Sequence, residues 1–340
     1  MKRTIALCLA IFFLATSCGR ESGGGVITGN NFQLDTVVTI SLYGTYDKSL
    51  IDAAFDEIDR LEQLLSRKIA GSDPDRLAKA GGESFIPVSP DTIFLIEKGE
   101  VFSKLTGGLF DLTIGPLVSL WDISGGGHFP DDDERIRAME LVDYTQVSVE
   151  SGEAMLEISG MEIDFGAIAK GYIADEVKSF LIENAVESGV INLGGDVVLI
   201  GEKPGTGNFS IGVQDPDRPT GKVMGVFEIS DKALVSSGKC ERFFMHDGKR
   251  YHHILNPMTG YPAENELLQV TVIADDGVTG EVLSTSAFLL GLDKGMEFIK
   301  NSAGASAIFI TEDKRVYLSP GFNETFHIVN DEYSLEGEYN

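Results

Sequence analysis

The chain of 340 residues carries 27 Lys and Arg against 53 Asp and Glu, which gives a formal net charge of -26 at pH 7. Sequence-independent binding to nucleic acid and attraction to an anionic membrane surface both need clustered Lys and Arg, so this balance argues against both. Hydrophobic residues make up 43% and charged residues 24%. These fractions are ordinary for a globular protein and exclude disorder or collagen-like structure as the main state.

The first residues have the pattern of an export signal. A basic pair precedes an apolar run, residues 5–15, that is too short to span a membrane and has the size of a secretory signal core. The run ends before Cys18, as in a bacterial lipoprotein signal. We therefore expect residues 1–17 to be a signal peptide and Cys18 to be lipidated, which anchors the chain to the cell membrane facing the periplasm or cell exterior. Ordinary cleavage and a retained anchor are the alternatives. Residues 18–30 are predicted to be a flexible tether.

The rest of the chain predicts one α+β domain over residues 31–325, followed by an acidic tail at 326–340. Alternating apolar residues predict a strand at 37–43, and apolar residues at helical spacing predict an amphipathic helix at 47–65 that packs on a sheet. Further helices are expected at 93–105, 168–183, 280–290 and 295–301. Further strands are expected at 147–149, 155–158, 190–192, 197–200, 209–213, 223–229, 268–273, 307–310 and 316–318. Because tight hairpins dominate the middle of the chain, we expect a largely antiparallel sheet with packed helices.

Three glycine-containing clusters carry residues suited to ligand binding. Residues 110–117 place an Asp and a Thr before a Gly-Pro step, which is typical either of a capped turn or of contacts to a ligand. Residues 164–175 place small residues and Lys170 where a strand passes into a helix. That arrangement either leaves free N–H groups for a phosphate or forms an ordinary glycine-rich turn. Residues 192–196, Asn-Leu-Gly-Gly-Asp, are typical of a hairpin turn.

A fourth cluster contains two of the five histidines, His252 and His253, followed by an Asn-Pro-x-Thr-Gly turn. Histidine accepts protons near neutral pH, so one of the pair is a candidate base. Such a pair also occurs in metal sites and at exposed strand ends. Because adjacent strand residues point to opposite faces, only one of the two can face a given pocket.

In this order, the four clusters resemble the ApbE family of FAD:protein FMN transferases, over about residues 32–320. The matching motifs are Phe-Asp-x-Thr-x-Gly-Pro-Leu from Phe110, Asp-Phe-Gly-Ala-Ile-Ala-Lys-Gly-Tyr from Asp164, Asn-x-Gly-Gly-Asp from Asn192, and the series Ser237-Gly, Glu241-Arg and His253-Ile-x-Asn-Pro-x-Thr-Gly-x-Pro. The resemblance implies an ApbE-like fold. It also implies a Mg2+-dependent reaction outside the cytoplasm, in which the FMN half of FAD is transferred to a Thr, sometimes Ser, hydroxyl of a partner flavoprotein and AMP leaves.

The resemblance also implies roles for individual residues. His253 matches the family histidine before the Ile of the His-Ile motif and is the expected catalytic base. The expected metal ligands are the main-chain carbonyl of Ala167 together with Glu281 and Thr285, which lie four apart on one helical face. Contacts to FAD are expected from Leu34, Lys68, Leu109, Phe110, Asp111, Asp164, Lys170 and Ile254.

Two positions depart from the family pattern. The family helix usually reads Asp-x-x-x-Thr where this chain has Glu281, which bears on metal affinity because Mg2+ demands near-ideal octahedral geometry. The first strand usually reads Met-Gly-Thr where this chain has Leu34 and Asp35, so a negative charge is added near an anionic ligand. Two alternatives to the transferase follow. One is a Mg2+-dependent FAD pyrophosphatase that gives FMN and AMP, and the other is a lipid-anchored flavin-binding protein without catalysis.

Overall fold

The computed structural model describes residues 25–218 and 221–338. The predicted signal peptide, the lipidation site Cys18 and the first part of the predicted tether lie outside the described residues. Among the described residues, no helix combines the length and the apolar character that a membrane span requires.

Seventeen strands, eight α-helices and a 3₁₀ helix at Tyr144–Gln146 make up the described part of the chain. The strands are β1 Val26–Gln33, β2 Thr36–Tyr43, β3 Ile86–Pro87, β4 Val147–Glu150, β5 Glu153–Leu156, β6 Gly189–Leu193, β7 Asp196–Ile200, β8 Phe209–Gln214, β9 Val223–Ile229, β10 Ala233–Gly238, β11 Phe243–His246, β12 Lys249–His252, β13 Leu267–Ala274, β14 Ser306–Thr311, β15 Arg315–Leu318, β16 Thr325–Ile328 and β17 Ser334–Glu338. The helices are α1 Ser49–Leu65, α2 Asp73–Ala80, α3 Pro90–Leu105, α4 Gly115–Trp121, α5 Asp132–Met139, α6 Ala169–Glu183, α7 Gly277–Leu290 and α8 Leu292–Lys300.

A nine-stranded sheet forms the centre of the fold. Its strand order is β1-β2-β6-β7-β10-β13-β14-β15-β17. Every neighbouring pair is antiparallel except β15 and β17 at one edge. The prediction of an α+β fold with a largely antiparallel sheet is therefore confirmed.

The two faces of this sheet bury two different cores. Helices α1, α6, α7 and α8 cover one face, and the alternate residues Val38, Ile40 and Leu42 of β2 point to it and are fully buried. The three-stranded sheet β16-β9-β8 covers the opposite face, where Leu199 of β7 and Phe227 of β9 belong to a second core. The alternation along each strand thus divides its side chains between a helical layer and a second sheet.

The structure corrects the predicted boundaries of the domain at both ends. Residues 26–30, predicted to be tether, belong to β1, which pairs along its length with β2. The predicted acidic tail also contributes strands, since β16 pairs with β9 and β17 pairs with β15. Between them Tyr333 is 5% exposed and donates a hydrogen bond to Asp215 (2.7 Å). The acidic side chains do not prevent this packing because they find cations, as Glu332 does at 2.6 Å from Lys314.

Two short helices that the periodicity did not predict have clear start signals. Ser72 accepts a hydrogen bond from the N–H of Asp75 at the start of α2. Asp131 forms a capping box with Glu134 at the start of α5. Both helices have only eight residues, which is too short for an apolar stripe to stand out in the sequence.

Candidate active site

The second and third sequence clusters meet at the start of α6. Lys170, in the first turn of α6, forms a direct ion pair with Asp196 at the start of β7. Its Nζ also lies 3.7 Å from Oε1 of Glu281 on α7. Asp196 in turn accepts a hydrogen bond from the N–H of Ser236 on β10 (3.2 Å). One ammonium group therefore faces two carboxyl groups.

Glu281 joins α7 to the backbone at the start of α6. Glu281 is 3% exposed, and its Oε2 accepts a hydrogen bond from the N–H of Gly171 (2.6 Å). The first N–H groups of a helix have no partner within the helix, and the helix dipole favours a carboxylate there. Burial raises the pKa of Glu281, while the charge of Lys170 acts in the opposite direction.

The predicted metal ligands Ala167, Glu281 and Thr285 are all oxygen donors. The N–H of Gly171, four residues after Ala167, donates to Glu281 instead of closing a helical hydrogen bond to the Ala167 carbonyl. One turn beyond Glu281, Oγ1 of Thr285 lies 3.1 Å from Oγ of Ser237. Within residues 25–218 and 221–338, no group of three or more His, Cys, Asp or Glu side chains forms a metal cluster. A carbonyl, a carboxylate and a hydroxyl are nevertheless hard oxygen donors that fit Mg2+.

The two adjacent histidines have different surroundings, as their positions at the end of β12 predict. His252 is 4% exposed, and both of its ring nitrogens are engaged, Nε2 with the Ala263 carbonyl (2.9 Å) and Nδ1 with the N–H of Ile254 (3.3 Å). Nδ1 of His253 lies 3.3 Å from the carbonyl oxygen of Arg242. Because a carbonyl can only accept, Nδ1 carries the proton and Nε2 keeps a lone pair.

His253 is also neutral at pH 7. Burial, together with the charge of Arg242, lowers the pKa of His253 to about 3. Its ring therefore has the tautomer and the charge state that a proton acceptor needs. The structure assigns His252, by contrast, to the packing of the hairpin against Ala263 and Ile254.

A cleft of about 590 Å³ opens on the side of Arg242. Its volume lies in the range of small-molecule sites. Four segments line it, namely the turn between β1 and β2, the segment after α1 with Lys68, the loop after α4, and the chain that enters β11. The lining residues are Asp35, Lys68, Asp122, Ile123, Ser124, Gly125, Glu241, Arg242 and Phe243.

The turn between β1 and β2 has a backbone that favours glycine at the position of Asp35. Gln33 pairs with Thr36, so Leu34 and Asp35 form a two-residue loop, with φ of 54° and 57°. Two positive φ angles define a type I′ turn, which suits the twist of a hairpin but costs a residue with a Cβ about 1 kcal/mol. The N–H of Leu34 donates to Oε2 of Glu62 on α1 (3.1 Å), which fastens the turn to the helix.

Asp164 is held by an arginine that the sequence motifs did not single out. Nε of Arg67 lies 2.6 Å from Oδ2 of Asp164. The NH1 group of Arg67 donates to Glu162 (3.1 Å) and Ser119 (2.9 Å). Oδ1 of Asp164 accepts from the N–H of Gly166 (2.7 Å), which shapes the turn before α6. Arg67 follows α1 directly, in a segment without a motif, so only the folded chain reveals its role.

The first sequence cluster is a capped turn in this structure. Phe110 is 2% exposed and packs against Phe102, with ring centroids 6.4 Å apart. The carboxylate of Asp111 accepts hydrogen bonds from the N–H of Thr113 (2.8 Å) and from the N–H of Tyr144 (3.0 Å). Burial raises the pKa of Asp111. The side chains of Phe110 and Asp111, predicted to contact FAD, thus have protein partners here.

Comparison with known proteins decides the family. The model of the ApbE family matches residues 34–309. The chain belongs to the ApbE family. The resemblance inferred from the four motifs is thereby confirmed, together with the prediction that the chain is an enzyme.

Several members of the family are similar over most of their length. A FAD:protein FMN transferase of Klebsiella pneumoniae is 38% identical over 290 residues, which cover 83% of this chain and 88% of that protein. One of Treponema pallidum is 29% identical over 352 aligned residues, which cover 98% and 97%. The crystal structure of the ApbE protein of Thermotoga maritima is 31% identical and covers 87% of this chain and 97% of that one, with a TM-score of 0.81.

Against the family pattern, the predicted site residues fall into two groups. One group lies at or near the start of α6, where Lys170 faces Glu281 and Asp164 shapes the preceding turn; its members are Asp164, Ala167, Lys170, Glu281 and, one turn further along α7, Thr285. Of the others, Lys68 lines the cleft and pairs with Asp35, Leu109 is half-buried and Ile254 is 6% exposed. Asp196 was not predicted as a site residue, although it closes the Asn-x-Gly-Gly-Asp motif.

Proposed function

We propose that this ApbE-family enzyme transfers the FMN moiety of FAD to a Thr or Ser hydroxyl of an acceptor flavoprotein and releases AMP. The activity in the names of its relatives supports the reaction. The observation that carries the proposal is the neutral ring of His253, whose Nδ1–H faces the Arg242 carbonyl at 3.3 Å while Arg242 lines the cleft. A base with a free lone pair, held by a residue that lines a cleft of this size, fits the activation of an incoming hydroxyl.

The transfer makes one phosphorus–oxygen bond and breaks another. The acceptor hydroxyl oxygen bonds to the phosphorus of the FMN phosphate, and its proton passes to Nε2 of His253. The bond between that phosphorus and the bridging oxygen breaks, so AMP leaves with the bridging oxygen. Such reactions depend mainly on positioning and on stabilising the charge of the phosphoryl group.

Attraction of a diphosphate has to be local, since the whole chain has a net charge of -26. Lys170 supplies a fixed positive charge. Burial alone would lower the pKa of Lys170, but the charges of Asp196 and Glu281 raise it, so the side chain stays protonated at pH 7. The start of α6 adds the positive end of a helix dipole.

Ala167, Glu281 and Thr285 are the residues that would hold Mg2+. When bound, the ion supplies Lewis-acid neutralisation of charge on the diphosphate. Its charge and that of Lys170 together offset Asp196 and Glu281, the two carboxylates at the start of α6. Glu281 has a longer side chain than the usual Asp of the family, and its Oε2 is already fixed by the N–H of Gly171.

Substrate binding itself adjusts the base. In the free enzyme the pKa of His253 is about 3, which makes the ring a weak proton acceptor. An anionic diphosphate placed nearby favours the protonated ring and raises this pKa towards the working pH. His253 is thus expected to become a stronger base only when FAD is present.

One incubation separates the three functions. The purified protein is mixed with FAD, Mg2+ and an acceptor domain, and the acceptor is weighed by mass spectrometry. A covalent FMN adduct that disappears when the acceptor Thr is replaced by Val supports the transferase. AMP release without an adduct indicates a pyrophosphatase, and bound FAD that stays intact indicates a binding protein.

We further propose that the enzyme works outside the cytoplasm, anchored through a lipid on Cys18. The basic pair, the short apolar run and the Cys18 position support this location. Membrane fractionation of cells that express the full chain tests it. The wild-type protein should sediment with membranes and Cys18→Ser should not. Equal sedimentation of the two proteins contradicts the anchor.

A further inference from the structure

Asp175 of α6 caps the start of another helix, α7. Its Oδ1 accepts a hydrogen bond from the N–H of Gly277 (2.7 Å), and its Oδ2 accepts one from the N–H of Val278 (2.9 Å). These N–H groups belong to the first turn of α7 and have no partner within that helix. Because both carboxylate oxygens are used, the contact fixes the direction of α7 as well as its position on α6.

The two helix backbones touch at the same place. A Cβ atom built on Gly171 would lie 2.3 Å from the carbonyl oxygen of Gly277, and one built on Gly277 would lie 2.6 Å from the carbonyl oxygen of Gly171. No side chain fits at either position. The pair of glycines therefore brings α6 and α7 into contact without a spacer.

Around this contact, the two helices hold each other in a reciprocal way. Asp175 lies four residues after Gly171 on α6 and caps α7, whereas Glu281 lies four residues after Gly277 on α7 and caps α6. Residues four apart share one face of a helix, so each carboxylate lies one turn beyond the crossing glycine. We call the arrangement of Gly171, Asp175, Gly277 and Glu281 the helix clasp.

Asp175 is not required to start α7, because that helix has its own cap. Asp276 accepts a hydrogen bond from the N–H of Thr279 (2.7 Å) and another from its hydroxyl (2.9 Å). Asp175 also costs stability as a charged group, since burial raises the pKa of Asp175 to about 6. Helix capping therefore does not explain why Asp175 lies at the start of α7 as a second carboxylate.

We infer that Asp175 is a positioning residue for the transfer reaction, which holds α7 on α6 so that Glu281 stands at a fixed place beside Lys170. This inference rests on the proposed function. Asp175 does not touch the expected reacting atoms, and it acts through the helix that carries Glu281. When Asp175 no longer holds α7, Glu281 also releases the N–H of Gly171. The exchange rate of that N–H therefore reports on the clasp in the absence of metal and substrate.

The test compares Asp175→Asn with Asp276→Asn, a matched change at the start of the same helix. Amide hydrogen exchange is measured at Gly171 in both full-length proteins without ligand. In Asp175→Asn we expect exchange at Gly171 about tenfold faster, the effect of losing roughly one cap interaction. In Asp276→Asn we expect exchange at Gly171 as in the wild type. Unchanged exchange in Asp175→Asn, or equal acceleration in both variants, overturns the clasp.

The functional half is measured separately as transfer kinetics with FAD. Asp175→Asn should lower kcat about tenfold with little change in the KM for FAD, and Asp175→Glu, which keeps the charge, should recover part of the loss. A KM effect alone, or no effect on kcat beside faster exchange at Gly171, contradicts the positioning role. If the wild type forms no covalent adduct, the proposed function fails while the exchange data still decide whether the clasp exists.

Discussion

Oδ2 of Asp35 lies 2.8 Å from Nζ of Lys68 at the edge of the cleft, and both side chains are more than half exposed. The pair lowers the pKa of Asp35 and occupies the lysine that the family resemblance assigns to FAD. We therefore expect the Asp35 carboxylate to compete with the anionic substrate for this lysine.

Removing this carboxylate should strengthen FAD binding. Asp35→Asn keeps a residue that tolerates positive φ and deletes only the charge, so we expect the Kd for FAD to fall by a factor of about 2 to 5, as for an exposed ion pair. Asp35→Gly should give the same gain in affinity, together with up to about 1 kcal/mol of added stability from relief of the φ of 57°. Titration of FAD and urea unfolding separate the two effects. Weaker FAD binding in Asp35→Asn contradicts the competition.

The two histidines should respond differently to substitution. For His253→Ala we expect FAD binding close to that of the wild type and transfer slower by at least about 100-fold, the usual effect of losing a general base. For His252→Ala we expect a loss of about 1 to 3 kcal/mol in unfolding free energy, because the buried Ala263 carbonyl loses its donor. Calorimetry measures the stability of His252→Ala, and single-turnover kinetics measure the transfer rate of His253→Ala. Normal transfer by His253→Ala rules out its role as the base.

His252 should also make the protein sensitive to acid. Burial lowers the pKa of His252 from 6.5 to about 4 in the folded chain. Between these pH values the unfolded chain binds more protons than the folded chain. The contribution of His252 to the free energy of unfolding is therefore fully present above pH 6.5 and decreases as the pH drops towards 4. The contribution is on the order of 3 kcal/mol. Asp175, whose pKa is raised to about 6, acts in the opposite direction in the same range.

The comparison with His252→Gln isolates this contribution, because every other titratable side chain is present in both proteins. We expect the unfolding free energy of the wild type to fall more steeply between pH 7 and pH 4.5 than that of the variant. Parallel curves from urea unfolding at each pH mean that His252 is not the titrating group.

Glu281 should determine the Mg2+ requirement. Glu281→Gln keeps an acceptor for the N–H of Gly171 and removes the charge, so we expect the fold to persist while the Mg2+ concentration for half-maximal transfer rises about tenfold. Thr279→Val, near the start of the same helix, is the control and should keep the wild-type requirement. An unchanged requirement in Glu281→Gln shows that Glu281 is not a ligand.

Long periodic segments and ordered motifs were predictable from sequence. The apolar spacing over 47–65 predicts α1, observed at Ser49–Leu65, because a 17-residue helix shows several turns of a buried stripe. The Asn-Leu-Gly-Gly-Asp run correctly predicts the turn between β6 and β7. Both signals are local, so neighbouring residues alone contain them.

Contacts between distant segments were not predictable in this way. Arg67 binds Asp164 across 97 residues of chain, and Asp175 binds the start of α7 across 102. Neither pair leaves a pattern in its own segment. The same holds for β17, whose partner β15 is found only once the sheet has formed, so its acidic composition suggested a solvated end instead.

The orientation of β1 determines where the chain enters the domain relative to the cleft. The strand has eight residues, with Val26 paired to Tyr43 at one end and Gln33 paired to Thr36 at the other, next to the cleft-lining Asp35. At about 3.3 Å per residue, the entry point and the cleft are separated by about 23 Å. Val26 and the cleft-lining Asp35 thus lie at opposite ends of the hairpin formed by β1 and β2. An affinity handle or surface attachment at the Val26 end is accordingly a suitable way to immobilise the enzyme in working form.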